Sequence, residues 1–289
     1  MKRHTIAVVL LLAAAGGMGA ATTQDQEKSY LVTVIAESGG PIANLTAKDF
    51  IVREDNEVRT VVSAERPAFP LVVSLLVDMT APPLETNMLP RDLRTGVAAF
   101  VSALRAAQPG SQIALVEVGG GAVTSADFDA APAALDAAVQ RLFPAHPSDA
   151  IVLEAIGQAA KSLAVKPTPR RAIVIVDFNS SESLSEATMK RMTTELQQSG
   201  ATVWSVSVRL PRSSSSRREG ALNLITRESG GMRLVAGASS GLEAQLKKVA
   251  GSLASQYLVN FTRPAGAPMK PLRIETAQGH KVHVSPMSR

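Results

Sequence analysis

The sequence predicts an α/β fold in which a doubly wound, mainly parallel six-stranded sheet has helices on both faces. Nearly continuous apolar runs recur after residue 70, and such runs are typical of strands buried on both faces of a parallel sheet. Amphipathic patterns with apolar residues three or four apart lie between the runs, and these indicate helices. Regular alternation of the two patterns is typical of βα units that build one open sheet.

The buried strands are predicted where apolar residues are nearly continuous, at 71–77, 113–118, 172–176 and 201–208, with a short strand at 232–235. Trp204 lies in one of these runs and is predicted to be part of the core.

Four helices are predicted between and after these strands, because each segment has one apolar stripe. The stripes are Leu93, Val97, Phe100 and Leu104; Ile151, Ala155, Ala159 and Leu163; Met189, Met192 and Leu196; and Leu242, Leu246, Val249 and Leu253. A serine followed three residues later by a glutamate predicts a capping box at Ser183 and Glu186, and another at Ser240 and Glu243.

Shorter strands with alternating patterns are predicted at both ends of the chain. They lie at 30–36, 50–53 and 58–62 before the sheet, and at 257–261, 272–276 and 281–284 after it. We expect the two sets to pair as a small β element. The predicted organisation is therefore a polar linker at 22–29, a β-rich segment at 30–66, an α/β domain at 67–256 and C-terminal strands at 257–289.

Residues 1–21 are predicted to be an export signal. Lys2 and Arg3 precede the apolar stretch 6–15, and small residues ending at Ala21 provide a cleavage site. Retention as a membrane anchor is the alternative, but a span needs about 20 apolar residues, and glycines interrupt this stretch. We therefore expect an exported protein that is periplasmic or secreted.

The composition excludes several classes of function. The 289 residues include no cysteine, which excludes disulfides, thiolate metal sites and cysteine nucleophiles. The formal net charge of +5 falls by two to +3 if the signal is removed, so the charge does not indicate a nucleic-acid partner. Four arginines flank serines 213–216 without an aromatic residue for base stacking, and we interpret this stretch as a solvated loop. They are Arg209, Arg212, Arg217 and Arg218.

Two of the predicted strands end in an aspartate. Asp78 follows the strand at 71–77, Asp177 follows the strand at 172–176, and hydroxyl or amide side chains come after each. The carboxyl ends of parallel strands lie at one edge of a sheet, so we expect the two carboxylates to be close together. Such oxygen ligands suit Mg²⁺ or Mn²⁺. The alternative is that each aspartate caps a loop or a helix.

The order of these motifs resembles the von Willebrand factor A (VWA) domain, and in particular an exported bacterial branch described as VWFA-related. In the family, an apolar strand, Asp-x-Ser-x-Ser and an amphipathic helix are followed later by an apolar strand that ends in Asp-Gly. The segment 40–55, Gly230-Gly231 and the helix that leads to Gln256-Tyr257 are similar to the branch. The resemblance covers residues 30–284.

The resemblance implies a metal-ion-dependent adhesion site at the carboxyl edge of the sheet. Asp78, Thr80 and Asp177 match three of its ligand positions, and these are the candidate metal ligands.

This sequence departs from the family pattern at the other positions. Pro82 replaces the second serine, Phe178 replaces the usual glycine, and the threonine position falls on Ala150. Ser148 or Asp149 could compensate only if the loop shifts. We therefore expect a degenerate site without a tightly bound divalent ion, and partner binding that is insensitive to chelators.

The implied function is a noncatalytic module that binds a protein partner through the sheet-edge loops. One alternative is a purely structural relative whose metal site is lost. Another is a serine hydrolase, because residues 237–241 match Gly-x-Ser-x-Gly with Ser239 as nucleophile, and Glu275 with His280 or His283 would complete a triad. Only 48 residues follow Gly241, and a helix cap explains these serines more simply.

Overall fold

The computed structural model describes residues 25–82, 84–146, 149–178, 182, 185–209, 217–268 and 270–285. The predicted export signal, Ser148 and Ser183 lie outside these residues.

Strands and helices alternate through the middle of the chain, and strands alone occupy both ends. The strands are β1 (Asp25–Ile35), β2 (Phe50–Glu54), β3 (Glu57–Arg59), β4 (Val61–Glu65), β5 (Val72–Asp78), β6 (Gln112–Val118), β7 (Ala122–Ala126), β8 (Arg171–Asp177), β9 (Thr202–Val208), β10 (Arg233–Ala236), β11 (Tyr257–Pro264), β12 (Leu272–Thr276) and β13 (Lys281–Ser285). The α-helices are α1 (Pro90–Ala107), α2 (Pro132–Arg141), α3 (Val152–Ala164), α4 (Glu186–Ser199), α5 (Arg217–Glu228) and α6 (Ser239–Ala254).

The central sheet has six strands in the order β10-β9-β8-β5-β6-β7. Neighbouring strands from β10 to β6 are parallel, and β7 returns antiparallel to β6 at one edge. Every residue of β5 and β9 is buried, and Trp204 of β9 is fully buried, as the continuous apolar runs predict. Chain order reverses at β5, where β6 lies on one side and β8 on the other. The prediction of a mainly parallel six-stranded sheet is confirmed.

Helices cover both faces of this sheet. Alternate side chains of β5 divide between two cores: Val73, Leu75 and Val77 face α1, α2 and α6, whereas Val72 and Leu76 face α3, α4 and α5. All four apolar residues predicted for the stripe of α1 are fully buried. The two faces of the sheet therefore have separate aliphatic cores, and loops connect the helices to the strands at the amino and carboxyl ends of the strands.

Two small antiparallel sheets join the ends of the chain, as predicted. One has the order β13-β1-β11-β4, and the other has the order β12-β2-β3. The two sheets share a third apolar core, in which the rings of Phe50 and Tyr257 meet edge to face with centroids 5.4 Å apart. Within the described ranges, every helix is too short or too polar to span a bilayer.

Two predicted segments of this β region are wrong in detail. Residues 25–29 of the predicted linker belong to β1, where they pair with β11 from Asp25 opposite Pro264 to Ser29 opposite Asn260. Main-chain pairing maintains this strand although its exposed side chains are polar. The single strand predicted at 58–62 is two strands in different sheets, because the chain crosses from β3 to β4 at Thr60.

The two predicted capping boxes are also wrong. Helix α4 is capped by Ser185, whose Oγ accepts from the backbone N–H of Thr188 at 3.1 Å. The N-cap of α6 is Ala238, so Ser240 lies inside the first turn. Glu243 instead forms an ion pair with Lys247 one turn later, at 2.6 Å.

Candidate functional site

The candidate site lies at the carboxyl edge of the sheet, where β5 and β8 lie side by side. Asp78 is the last residue of β5 and Asp177 is the last residue of β8, and both are fully buried. The structure therefore brings the two predicted carboxylates together at the point where chain order reverses, which is where ligands bind in open α/β sheets.

A buried guanidinium lies between these carboxylates. Arg218, in the first turn of α5, is fully buried, and its Nη1 donates to Asp78 Oδ2 at 3.1 Å and to Asp177 Oδ1 at 3.0 Å. Its Nε donates to Glu182 Oε2 at 3.1 Å, and its Nη2 donates to the backbone carbonyl of Ala150. One cation thus contacts three carboxylates and the segment that enters α3.

The remaining carboxylate oxygens of the aspartates accept other hydrogen bonds. Asp78 Oδ1 accepts from the backbone N–H of Thr80 at 2.9 Å and from its hydroxyl at 2.6 Å. Asp177 Oδ2 accepts from the Ser207 hydroxyl at 3.1 Å. Asp78 Oδ2, which contacts Arg218, also accepts from the backbone N–H of Phe178 at 3.3 Å. Asp78 therefore caps its own loop, which is the alternative role considered for it from the sequence.

Glu182 contacts both Arg218 and the first turn of α3. Besides Arg218, its carboxylate accepts from the backbone N–H of Leu153 at 3.0 Å and of Glu154 at 3.4 Å, in the first turn of α3. The N-cap residue of α3, Ile151, makes no side-chain cap bond. Glu182 therefore caps α3 from a different loop, and its negative charge lies at the positive end of that helix.

Burial raises the pKa of both Asp78 and Glu182. For Asp78, loss of hydration is the largest cause and the neighbouring charge of Asp177 adds to it, while hydrogen bonds from Thr80 and the charge of Arg218 act in the opposite direction. For Glu182, loss of hydration again dominates over the backbone N–H of Leu153 and the Arg218 charge. The guanidinium thus offsets part of the cost of placing carboxylates in the interior.

Further charged side chains lie next to this network and hold the first turn of α5. Ser207 Oγ accepts from Arg233 Nη2 at 3.0 Å, and Arg233 Nη1 donates to Glu219 Oε1 at 3.0 Å. Arg209 also pairs with Glu219, at 2.7 Å. Glu219 follows Arg218 directly, so its ion pairs with Arg209 and Arg233 also fix the start of α5.

The interpretation of the four arginines as a solvated loop is wrong for two of them. Arg218 is fully buried, and the side chain of Arg209 is only 16% exposed. The physical reason is that Arg218 lies on the same face of α5 as Leu222 and Ile225, four and seven residues later, and that face packs against the sheet. Arg217 is exposed, and Arg212 lies outside the described residues.

These residues do not fit a divalent ion in addition to Arg218. Asp78 and Asp177 lie together as predicted, and Thr80 lies beside Asp78. However, the Thr80 hydroxyl donates to Asp78, and Asp78 Oδ2 and Asp177 Oδ1 accept from Arg218. The side chain of Asp149 is exposed, whereas its neighbour Ala150 presents its carbonyl to Arg218. In the described part of the chain, no group of three or more His, Asp or Glu side chains is arranged to hold a metal.

Of the residues considered for a serine hydrolase, Ser239 and His283 lie at opposite ends of β10. Ser239 is the first residue of α6 and follows the carboxyl end of β10. His283 lies on β13, next in sequence to Val284. The Val284 carbonyl packs against Gly230, which precedes the first residue of β10, so His283 lies near the amino end of that strand. The four residues of β10, about 13 Å, thus separate the two ends, and a nucleophile and its base need a hydrogen bond of about 3 Å. Glu275 instead lies 3.7 Å from Arg53.

Comparisons with known proteins identify the fold. Neither protein-family models nor curated proteins match the sequence. Among solved structures, a von Willebrand factor type A protein from Catenulispora acidiphila superposes with a TM-score of 0.56 at 13% identity, over 84% of this chain and 66% of the other. The fold is VWA-like. This confirms the fold that the resemblance implied.

Two other solved structures are similar in fold over about half of their own length. Proximal thread matrix protein 1 from the mussel byssus has a TM-score of 0.52 at 14% identity, over 66% of this chain and 49% of that one. The pilus adhesin SpaC from Lactobacillus rhamnosus GG has a TM-score of 0.51 at 10% identity, over 88% and 48%. This chain therefore spans about half to two thirds of the length of these structures.

Proposed function

We propose that the protein is an exported, noncatalytic interaction module that binds a protein partner through the loops at the carboxyl edge of its central sheet, without a divalent ion. The observation that supports this most directly is the exposure of large apolar side chains on those loops. Leu84 is 92% exposed, Phe143 is 64% exposed and Leu89 is 46% exposed.

The loops that present these side chains lie next to each other. Thr80 and His146 form a parallel bridge, and the backbone N–H of His146 donates to the Met79 carbonyl at 2.7 Å. In addition, Arg94 of α1 donates to the carbonyl of Gln140 near the end of α2, at 3.2 Å. These contacts hold Met79 and Thr80 beside His146, and α1 beside the end of α2. We name Leu84, Leu89 and Phe143 the loop patch.

Exposed apolar groups concentrated on neighbouring loops are typical of protein-binding sites, and aromatic residues are enriched at the centres of such interfaces. Beneath the loops, Arg218 occupies the space between the buried carboxylates, so the partner would be recognised by surface side chains rather than by a bound ion. The fold supports the same class of function, because the structures with a similar fold include a pilus adhesin.

Site-specific photo-crosslinking in the native host tests this proposal. A photo-reactive residue is placed at Leu84 or at Phe143, and a control is placed at Val165, which is 81% exposed and directly follows α3 at the opposite edge of the sheet. We expect one discrete crosslinked protein from positions 84 and 143 and none from 165, with no change on adding EDTA. Equal labelling at all three positions, or none, would favour a purely structural relative.

Mass spectrometry of the protein purified from its host tests export. We expect an N-terminus near residue 22, and an intact Met1 would contradict removal of the segment.

A further inference from the structure

We infer that Arg218 is a permanent, covalently tethered cation that takes the place of an exchangeable metal ion at the centre of the sheet edge. Its guanidinium fixes the ends of β5 and β8, Glu182 and the entry to α3 against helix α5. This inference concerns the buried centre and does not depend on whether a partner binds the loop patch.

The charges of the centre require a cation. The side chains of Asp78 and Asp177 are fully buried and that of Glu182 is 3% exposed. A buried carboxylate is costly unless it is paired and hydrogen-bonded. In the described structure, Arg218 is the cationic side chain that contacts all three carboxylates.

The shape of the guanidinium explains why an arginine can replace a metal ion here. Its five N–H donors form a rigid planar fork, so one side chain can contact oxygens that lie in several directions. Nη1 contacts the two aspartates, Nε contacts Glu182, and Nη2 contacts the Ala150 carbonyl. A lysine ammonium is a single point charge and could not reach all four oxygens from one position.

The centre also leaves little opportunity for ion exchange. Asp78 Oδ2 and Asp177 Oδ1 contact Arg218. The other oxygen of each carboxylate accepts a hydrogen bond, from Thr80 to Asp78 and from Ser207 to Asp177. The arginine itself is held in place because the next residue, Glu219, pairs with Arg233 and Arg209. A divalent ion could therefore enter only by displacing a fully buried side chain of α5.

Removal of the guanidinium would leave an oxygen-rich cavity. Asp78 Oδ2 and Asp177 Oδ1 converge on one nitrogen, and the Ala150 carbonyl and Glu182 Oε2 lie around the same group. Carboxylate and carbonyl oxygens are the ligands that hard divalent cations prefer. If Arg218 replaces an ion, its loss should make the protein responsive to divalent ions.

The experiment compares Arg218→Ala with Arg217→Ala, a matched control one residue earlier whose side chain is exposed. Thermal unfolding and calorimetric titration are carried out with MgCl₂, MnCl₂ and CaCl₂. We expect the wild-type protein and Arg217→Ala to give flat titrations and unchanged Tm. We expect Arg218→Ala to lose about 6 °C or more in Tm and to regain at least half of that loss with millimolar Mn²⁺.

Two further measurements make the result decisive. The double variant Arg218→Ala/Asp177→Asn should lose the response to Mn²⁺, because a converging carboxylate has been removed. If Arg218→Ala does not fold alone, refolding with and without Mn²⁺ replaces the thermal assay, and recovery only with the ion supports the inference. A micromolar divalent site in the wild-type protein, or an Arg218→Ala variant that gains nothing from any of the three ions, would overturn it.

Discussion

Replacing Glu182 by alanine removes an acceptor shared by Arg218 and two N–H groups of α3, at Leu153 and Glu154. Loss of a helix cap costs about 0.5–2 kcal/mol, and breaking a buried ion pair costs about 3–5 kcal/mol. Asp78 and Asp177 still neutralise Arg218 in this variant, so the ion-pair term should be well below its usual range. We therefore expect a total loss of about 3 kcal/mol in the free energy of unfolding.

Urea unfolding measures this loss directly, because Trp204 is the single tryptophan and is fully buried, so its fluorescence reports on the central sheet. The corresponding fall in Tm is about 6–12 °C. Glu182→Gln retains an acceptor for α3 but removes the charge, and it should lose about half as much.

Glu154→Ala is the matched control, since its carboxylate is partly exposed and lies 3.7 Å from Arg191. Exposed pairs contribute little, so this variant should stay within about 0.5 kcal/mol of the wild-type protein. If Glu182→Ala and Glu154→Ala were equally stable, the account of Glu182 as a cap and an ion-pair partner would be refuted.

Two further predictions concern Asp78 and the glycines. Because burial raises the pKa of Asp78, the folded protein binds its proton more tightly than the unfolded chain does. Asp78 should therefore increase the free energy of unfolding as the pH falls from neutral towards its ordinary pKa of 3.8. Asp78→Asn should make the free energy of unfolding, measured with urea at pH 7 and 5, depend less on pH. A stronger pH dependence in the variant would contradict a raised pKa of Asp78. A Cβ at Gly231 would lie 1.9 Å from the Val203 carbonyl oxygen, whereas one at Gly220 in α5 meets nothing within 4 Å. Gly231→Ala should lower the free energy of unfolding by about 3 kcal/mol, and Gly220→Ala should raise it by about 0.5–1 kcal/mol. Changes in Tm of equal size and sign in the two variants would contradict this account of the packing.

The central fold could be predicted because burial on both faces imposes a strong constraint on sequence. A strand such as β5 has no exposed position, so its residues are almost all apolar. Elements at the periphery lack this constraint. Strand β7 is an edge strand in which Val123 is 63% exposed, and it was not predicted. Helix α2 was missed for a similar reason, since only Leu135, Ala138 and Val139 of its ten residues are buried.

The candidate site could be predicted only in part. Parallel strands place their carboxyl ends at one edge, so Asp78 and Asp177 could be brought together from topology alone. The arginine between them was missed because it follows a serine- and arginine-rich stretch that is locally hydrophilic. A signal was present, since Arg218, Leu222 and Ile225 share one helical face. Glu182 gave no comparable signal, because the N–H groups that it caps lie 28 and 29 residues earlier in the chain.

A tethered cation and an exposed apolar loop patch are consistent with each other in physical terms. A site that depends on a free ion is stabilised by an amount that changes with ion concentration, about 2.7 kcal/mol at 100 times Kd and nothing in its absence. Arg218 removes that dependence, because its charge is part of the chain. A buried guanidinium, unlike an exposed metal ion, cannot take a ligand from a partner, and Arg218 is fully buried and donates to Asp78, Asp177 and Glu182. A partner at this edge would therefore have to be bound by the side chains above the centre, where the loop patch of Leu84, Leu89 and Phe143 exposes large apolar groups.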